Sequence, residues 1–321
     1  MLEIIVPMMC LLVSILVMTS DTMRIEVLLS LAIRGRFLNI RQDNSENEGN
    51  RRFGRKSKKE REIEKVQEWS RERGIKEVEI TSFDGLNLKA DYIEVPDANR
   101  TVILFHGWRG CWMKDFADIS KWLYAQKSNL LLVNQRAHGK SEGKYIGFGV
   151  LERKDCLSWI HYADQLSDKK LPIYLLGISM GASTVLMSTG EKLPETVKGV
   201  IADCGFTTPY DMVFRAGKKM LHIGQTTMDR VNQLCKKKAN YDFSECSTLE
   251  TVADCQIPIL FVHGKDDRFV PCEMTIENYE RCNGRKRLLL IDHADHEEAF
   301  KTDKEKYVRN IIDFFHWQVV A

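Results

Sequence analysis

Ile173-Tyr174-Leu175-Leu176-Gly177-Ile178-Ser179-Met180-Gly181-Ala182-Ser183-Thr184 decides how the rest of this 321-residue chain is read. Ile173–Leu176 is a short apolar run without alternation, the mark of a strand buried on both faces. It runs without a spacer into Gly177, and Ala182 to Thr189 reads as the helix that follows. A strand-to-helix turn that tight forces its central residue into a strained conformation, which flanking glycines make room for. The Ser179 hydroxyl then projects above the sheet at the positive end of a helix. Gly-x-Ser-x-Gly alone is a weak signal, since a structural serine in a glycine-rich turn has the same letters. Its place at a strand-helix junction gives it weight.

Working outward, the same alternation of strand and helix runs from Lys76 to the end of the chain. Val78 to Phe83 and Leu86 to Val95 flank Asp84-Gly85, a turn signal that predicts a hairpin. Thr101–Phe105, Leu130–Val133, Val200–Ala202, Ile259–Val262 and Leu288–Ile291 are further buried-strand runs. Between them, Phe116, Ile119, Trp122 and Leu123, then Leu157, Ile160 and Ala163, recur at helical spacing. Tyr307, Ile311, Ile312 and Phe315 close the series. The pattern predicts an α/β fold with a mostly parallel eight-stranded sheet and helices on both faces. One interval breaks the rhythm. Thr207 to Asp254 is too long for a simple crossover and predicts an inserted helical cap, about 207–254, over the strand ends where ligands of such sheets bind.

A serine hydroxyl attacks poorly until a base takes its proton, so Ser179 needs a histidine, and the histidine needs a carboxylate. Two later strands lead straight into suitable residues. Ile259–Val262 runs into His263-Gly264-Lys265-Asp266-Asp267, and Leu288–Ile291 into Asp292-His293-Ala294-Asp295-His296. On residues alone, His293 and His296 both qualify as the base. Asp266, Asp267 and Asp203, which ends another strand, qualify as the acid. The Met180 N–H, directly after Ser179, is one donor for an oxyanion, and a second is expected from the loop after Thr101–Phe105.

Six segments form a set: Ser82-Phe83-Asp84-Gly85-Leu86, His106-Gly107-Trp108, Gln135-Arg136-Ala137-His138-Gly139-Lys140-Ser141-Glu142-Gly143, the Ser179 turn, Ala202-Asp203-Cys204-Gly205-Phe206, and His263-Gly264 through Val270-Pro271. The set resembles bacterial α/β-hydrolases of the prolyl-oligopeptidase-like and serine-aminopeptidase-like type, which include membrane-anchored members from Gram-positive bacteria. The resemblance runs from about Thr81 to Phe315 and implies the α/β-hydrolase fold with a Ser-Asp-His triad. In that family the acid stands three residues before a Val-Pro pair, which implies Asp267. The base lies in a small-x-His pattern before a helix, which implies His296 and leaves His293 structural. The His-Gly-x pattern implies that Trp108 supplies the second oxyanion amide beside Met180, with His106 and His138 bracing their loops. Asn134 stands where the family usually carries Asp.

Trp108, Trp112 and Phe206 fall near the expected mouth as candidate walls of an apolar acyl pocket. The implied reaction is hydrolysis of a small-molecule ester, thioester or amide through an acyl-enzyme on Ser179, without cofactor or metal. A carboxylesterase is the first reading and a serine peptidase the alternative. A membrane-tethered binding protein without turnover is the rival from another class, and the presence of Ser179, Asp267 and His296 together speaks against it.

Bulk properties limit the partners. Lys and Arg total 47 against 45 Asp and Glu, a formal net charge of +2, so no nucleic-acid partner is expected. Lys236-Lys237-Lys238 lacks interleaved aromatics and reads as a solvated face. Nine cysteines without a Cys-x-x-Cys suggest reduced, packed thiols. Residues 1–20 form a hydrophobic segment in which Ile4 to Met18 is nearly all apolar, short of the roughly 20 residues of a typical span. With the cations from Arg24 to Lys59 behind it, it is expected to anchor the chain, leaving the catalytic domain cytoplasmic. The alternatives are an extracytoplasmic or a soluble protein. Residues 21–75 read as a charged linker and helix, with Ile63, Val66 and Trp69 on one helical stripe, and 76–321 as the hydrolase domain. The sequence carries no signal for oligomeric state.

Overall fold

The computed structural model describes residues 20–35 and 58–317. Eight strands form one sheet: β1 (Lys76–Thr81), β2 (Asn87–Ile93), β3 (Arg100–Phe105), β4 (Ser128–Val133), β5 (Ile173–Ile178), β6 (Val197–Asp203), β7 (Ile259–Gly264) and β8 (Lys286–Ile291). Their order is β1-β2-β4-β3-β5-β6-β7-β8. The β1–β2 hairpin and the β2–β4 pair are antiparallel, and every other pair is parallel. Strands β4, β5 and β7 are buried at every position, which explains their unbroken apolar runs. Edge strand β1 is never fully buried and alternates in sequence.

Two apolar clusters cover the two faces. Val102, Leu104, Leu130, Leu132, Tyr174 and Leu176 point to one. There they meet α2 (Lys58–Arg71), α3 (Trp112–Asp115), α4 (Ala117–Ala125), α11 (Ala299–Thr302) and α12 (Lys304–His316). Their chain neighbours Ile103, Phe105, Leu131, Val133, Ile173 and Leu175 point to the other, the period of two that a strand imposes. That face carries α5 (Glu152–Leu166), α6 (Met180–Ser188), α9 (Thr248–Ala253) and α10 (Cys272–Arg281). The stripe of α2 docks through Val66, and Trp69 stacks edge-on against Tyr124 with ring centroids 5.8 Å apart.

A third cluster roofs the carboxyl ends of the strands. It gathers α7 (Pro209–Leu221) and α8 (Gln225–Ala239), both from the β6–β7 connection, over Ala137, Met180, Phe206 and Val270. The third helix of that connection, α9, packs instead on α6 and α10. The roof also includes α1 (Asp21–Ile33), in a region the sequence reads as a linker. Ile25, Leu28, Leu29, Ala32 and Ile33 bury one stripe of this helix, and a Cβ on Gly217 of α7 would lie 2.6 Å from Leu28 Cδ2. The stripe directly follows an apolar run, so its period does not stand out in the sequence.

The apolar run before Met18 and the polar stretch Asn39 to Arg52 lie outside the described residues. Among the described residues no helix is long and apolar enough to cross a membrane. All eight described cysteines are free of disulfides.

Candidate active site

Ser179 sits between β5 and α6 with φ 54° and ψ −118°, a conformation that L-residues rarely adopt. The turn closes because Gly181 lies flat against β3: a Cβ there would fall 1.8 Å from the Phe105 carbonyl oxygen. The Ser179 N–H donates to the Asp203 carbonyl of β6 at 2.8 Å, which fixes the turn to the sheet. Its Oγ lies 2.9 Å from His296 Nε2.

His296 follows β8, and its Nδ1 lies 2.7 Å from Asp267 Oδ2 in the loop after β7. Asp267 is buried yet fully bonded. Its Oδ1 accepts the amides of Phe269 at 2.8 Å and Val270 at 2.9 Å, and its Oδ2 also faces His263 Nε2 at 3.1 Å. Burial works against charge on this carboxyl, but the bonds from His263 and His296 hold it well below the usual carboxylate range. Burial likewise opposes charge on His296. The hydrogen bond and charge of Asp267, with Glu297 and Asp203 behind it, nevertheless raise its pKa above the ordinary imidazole value. Asp295 joins the two loops, its Oδ1 accepting the Arg268 amide at 3.1 Å and the His296 amide at 2.8 Å.

The loop after β3 lies on the other side of the serine. A Cβ on Gly107 would stand 3.4 Å from Ser179 Cβ, so this loop passes directly beside the nucleophile. Neither the Trp108 nor the Met180 amide has a protein acceptor among the described residues. Asp115 Oδ2 accepts the Gly107 amide at 3.0 Å. His106 bonds the Gly107 carbonyl at 2.8 Å and accepts the Gln135 amide at 3.2 Å. His138 Nε2 accepts the Arg109 amide at 3.0 Å. Burial lowers His106 to about 4 and His138 to about 3, so both brace the loops as neutral rings. Helix α1 ties the same loop down. The Trp108 indole donates to the Ala32 carbonyl at 2.9 Å, and Arg109 donates to the carbonyls of Leu31 at 2.9 Å and Arg34 at 3.2 Å.

Residues remote in sequence complete the surroundings. Glu297 Oε1 lies 3.8 Å from His296 Nε2, and Lys114 stands 3.6 Å from Glu297 and 3.4 Å from Asp115. Burial raises the carboxyl pKa of both Asp115 and Glu297. Sequence reasoning missed this trio, because contact between 114–115 and 297 leaves no local pattern. It also missed His263, for which the only signal was a histidine ending a strand four residues before Asp267. Ligating atoms of Cys204, Asp267 and His296 lie within 4.8 Å of one another. A metal there would have to break the Asp267–His296 bond and ionise a thiol whose pKa burial raises well above its ordinary value.

Other candidates are placed elsewhere. His293 is 90% exposed and stands 3.6 Å from Asp266. The Asp203 side chain accepts the Tyr307 hydroxyl at 2.9 Å. Trp112 is not a pocket wall: its ring packs in the cluster under α3 and its indole donates to Asp91 at 2.7 Å. The chain turns at Cys111 to start α3, which carries Trp112 down onto the sheet. Phe206 stays in the roof cluster with Met180, its ring 6.4 Å from that of Phe148, which is in turn 6.4 Å from Trp108. A cavity of about 550 Å³ lined by His161, Asp164, Lys169 and Glu195 lies at the amino ends of the strands, away from Ser179.

Residues 96–250 match the family Hydrolase_4, serine aminopeptidase, S33. The uncharacterized protein YqkD of Bacillus subtilis is 25% identical over 242 residues, 73% of this chain and 77% of its own. The uncharacterized YfhR of Escherichia coli K12 is 25% identical over 253 residues, 77% of this chain and 81% of its own. Among solved structures, the Pyrococcus furiosus esterase Pf2001 aligns with a TM-score of 0.62 at 23% identity, covering 83% of this chain and 96% of that one. Pyrococcus horikoshii acylaminoacyl peptidase aligns with a TM-score of 0.57 at 15% identity, covering 75% of this chain and 41% of that one. The shared architecture is the α/β-hydrolase fold.

Proposed function

Starting from a chain that has the α/β-hydrolase fold and resembles the S33 serine aminopeptidases, we propose that it is a serine hydrolase cleaving carboxylic esters through an acyl-enzyme on Ser179. The relay of 2.9 Å from Ser179 Oγ to His296 Nε2 and 2.7 Å from His296 Nδ1 to Asp267 Oδ2 carries this reading. With Nδ1–H donated to Asp267, the Nε2 lone pair faces the serine hydroxyl. His296 takes the Ser179 proton as Oγ attacks the carbonyl carbon, and Asp267 stabilises the imidazolium that forms. The amides of Met180 and Trp108 receive the oxyanion. His296 then protonates the leaving alcohol. In the second half, water gives His296 a proton and attacks the acyl carbon, and His296 returns that proton to Ser179 Oγ as the acid leaves.

Met180, directly after the nucleophile, belongs with Phe148 and Phe206 to the buried apolar roof cluster, which supports an apolar acyl side. An ester of an apolar acyl group fits that surface better than a charged one. The S33 match favours a second reading, in which the same relay cuts an aminoacyl amide. A panel of p-nitrophenyl esters and aminoacyl p-nitroanilides, run on wild type and Ser179→Ala, tests both. Ester turnover that disappears in the variant is expected. Anilide cleavage without ester cleavage would replace the first reading with the second, and equal rates in both proteins would remove Ser179 from the chemistry.

A further inference from the structure

We infer that His263 is a positioning residue of this reaction, an imidazole whose Nε2–H holds the Asp267 carboxylate in the one orientation that serves His296. The inference rests on the serine-hydrolase reading of Ser179, Asp267 and His296. His263 is the fifth residue of β7 and is completely buried, and its ring meets the relay through Asp267.

The partners of its two nitrogens fix its tautomer. Nε2 faces only acceptors, Asp267 Oδ2 at 3.1 Å and the Val270 carbonyl at 3.0 Å, and therefore carries the proton. Nδ1 faces the Thr275 hydroxyl at 2.7 Å, whose one proton has the Gly205 carbonyl at 3.2 Å as its other acceptor, and the shorter contact assigns that proton to Nδ1. Thr275 is a buried residue of α10, in contact with the Gly205 carbonyl but outside the Ser179, His296 and Asp267 relay. The chain of hydrogen bonds thus runs from Thr275 through His263, Asp267 and His296 to Ser179.

The arrangement at Asp267 gives this chain its meaning. Both imidazoles bond the same oxygen, Oδ2, while Oδ1 takes the two backbone amides of Phe269 and Val270. Four donors on four lone-pair sites leave the carboxylate no freedom to rotate about its Cβ–Cγ bond. Removing His263 frees one site on the oxygen that orients the base. It also concentrates the Asp267 charge on the His296 imidazolium. The other titratable groups facing His296 are Glu297, Asp203 and Cys204, and none of them replaces a donor to Asp267.

Four variants test the inference: His263→Leu, His263→Gln, Thr275→Val and Thr275→Ser. Each is measured for ester turnover per Ser179 labelled by a fluorophosphonate, so that misfolded protein is not counted. His263→Leu is expected to lose kcat on the order of 10- to 100-fold, the scale of one hydrogen bond to a charged group. Its KM should hold, and the acid limb of its pH profile should move to higher pH. Glutamine places an amide N–H near the Nε2 position and should recover most of the loss. Thr275→Val should fall several-fold while Thr275→Ser stays near wild type, because only the valine lacks the proton that sets the tautomer.

Wild-type kcat and pH profile in His263→Leu would show that the ring merely fills the core. If that variant does not fold, the threonine pair decides, and equal kcat in Val and Ser would overturn the inference. Absence of labelling in wild type would instead overturn the serine-hydrolase reading beneath it.

Discussion

Alanine at Gly107 and alanine at Gly181 add the same methyl group to two neighbours of Ser179, and the structure assigns them different consequences. At Gly107 the new Cβ would lie 2.4 Å from Glu297 Oε1, 3.4 Å from Ser179 Cβ and 3.6 Å from Asp115 Oδ2. Only the first contact is too short, and it falls on the free end of a flexible side chain. Moving that oxygen by about 1 Å is an off-rotamer adjustment costing about 0.5–1.5 kcal/mol. At about 2–4 °C per kcal/mol for a domain of this size, Gly107→Ala should melt only a few degrees below wild type. Its methyl nevertheless displaces the Glu297 carboxylate that stands 3.8 Å from His296 Nε2, and a displacement of about 1 Å in such a site costs up to roughly 100-fold in rate.

At Gly181 the Cβ would lie 1.8 Å from the Phe105 oxygen, 2.5 Å from the Phe105 carbonyl carbon and 2.7 Å from the His106 oxygen. These are backbone atoms of β3 and its exit, and no rotamer relieves them. Helix α6 would have to lift by about 1.5 Å, beyond the overpacking that cores absorb at about 1–3 kcal/mol. Gly181→Ala should therefore fail to fold or melt far below wild type. Thermal denaturation and p-nitrophenyl ester kinetics on both variants check the pair. A fully active Gly107→Ala, or a Gly181→Ala with wild-type melting, would refute the geometry of the turn.

The remaining predictions concern charge. Because the His296 pKa is raised and only its neutral form accepts a proton, kcat/KM should rise with pH through a value above the ordinary 6.5 or so of imidazole. Glu297→Gln removes a carboxylate 3.8 Å from Nε2, which destabilises the imidazolium, so a pH-rate titration should show that limb displaced to lower pH. Asp267→Asn replaces an acceptor of Nδ1–H with a group that permits the wrong tautomer, and stopped-flow ester assays should show kcat reduced by about 10³–10⁴ with the fold intact. Arg136 bonds Asp155 at 2.6 and 2.7 Å and Asp84 at 3.0 and 3.1 Å in a buried cluster. Arg136→Met should cost about 3–5 kcal/mol in urea unfolding, because it leaves the buried Asp155 carboxyl, raised by burial to about 7 even beside the guanidinium, without its partner.

The parts of the molecule that write a local pattern were legible in the sequence. A strand buried on both faces must be apolar throughout, so Leu130–Val133 and Ile259–Val262 announce themselves, and Asp84-Gly85 announces its hairpin. Ser179 was readable because a turn this tight tolerates only glycine on either side. Asp267 and His296 were narrowed by resemblance, since Asp266 and His293 are equally good letters at equally good strand ends. Their separation depends on which side chain points inward, and His293, at φ 61°, turns out to solvent. Trp112 was misplaced for a related reason: proximity to the Trp108 loop in sequence says nothing of the side to which the ring turns. Helix α1 carries local marks, Ser20 as its N-cap and the stripe from Ile25 to Ile33, that the apolar run before it hides, whereas the Lys114–Asp115–Glu297 trio exists only through tertiary contact.

Peptide mapping after reaction with a fluorophosphonate tests the central claim most directly. The account expects one adduct, on the peptide carrying Ser179, formed at a rate that rises with pH along the His296 limb and abolished in His296→Ala. A folded protein that leaves Ser179 unmodified, or carries the adduct on another serine, would contradict it.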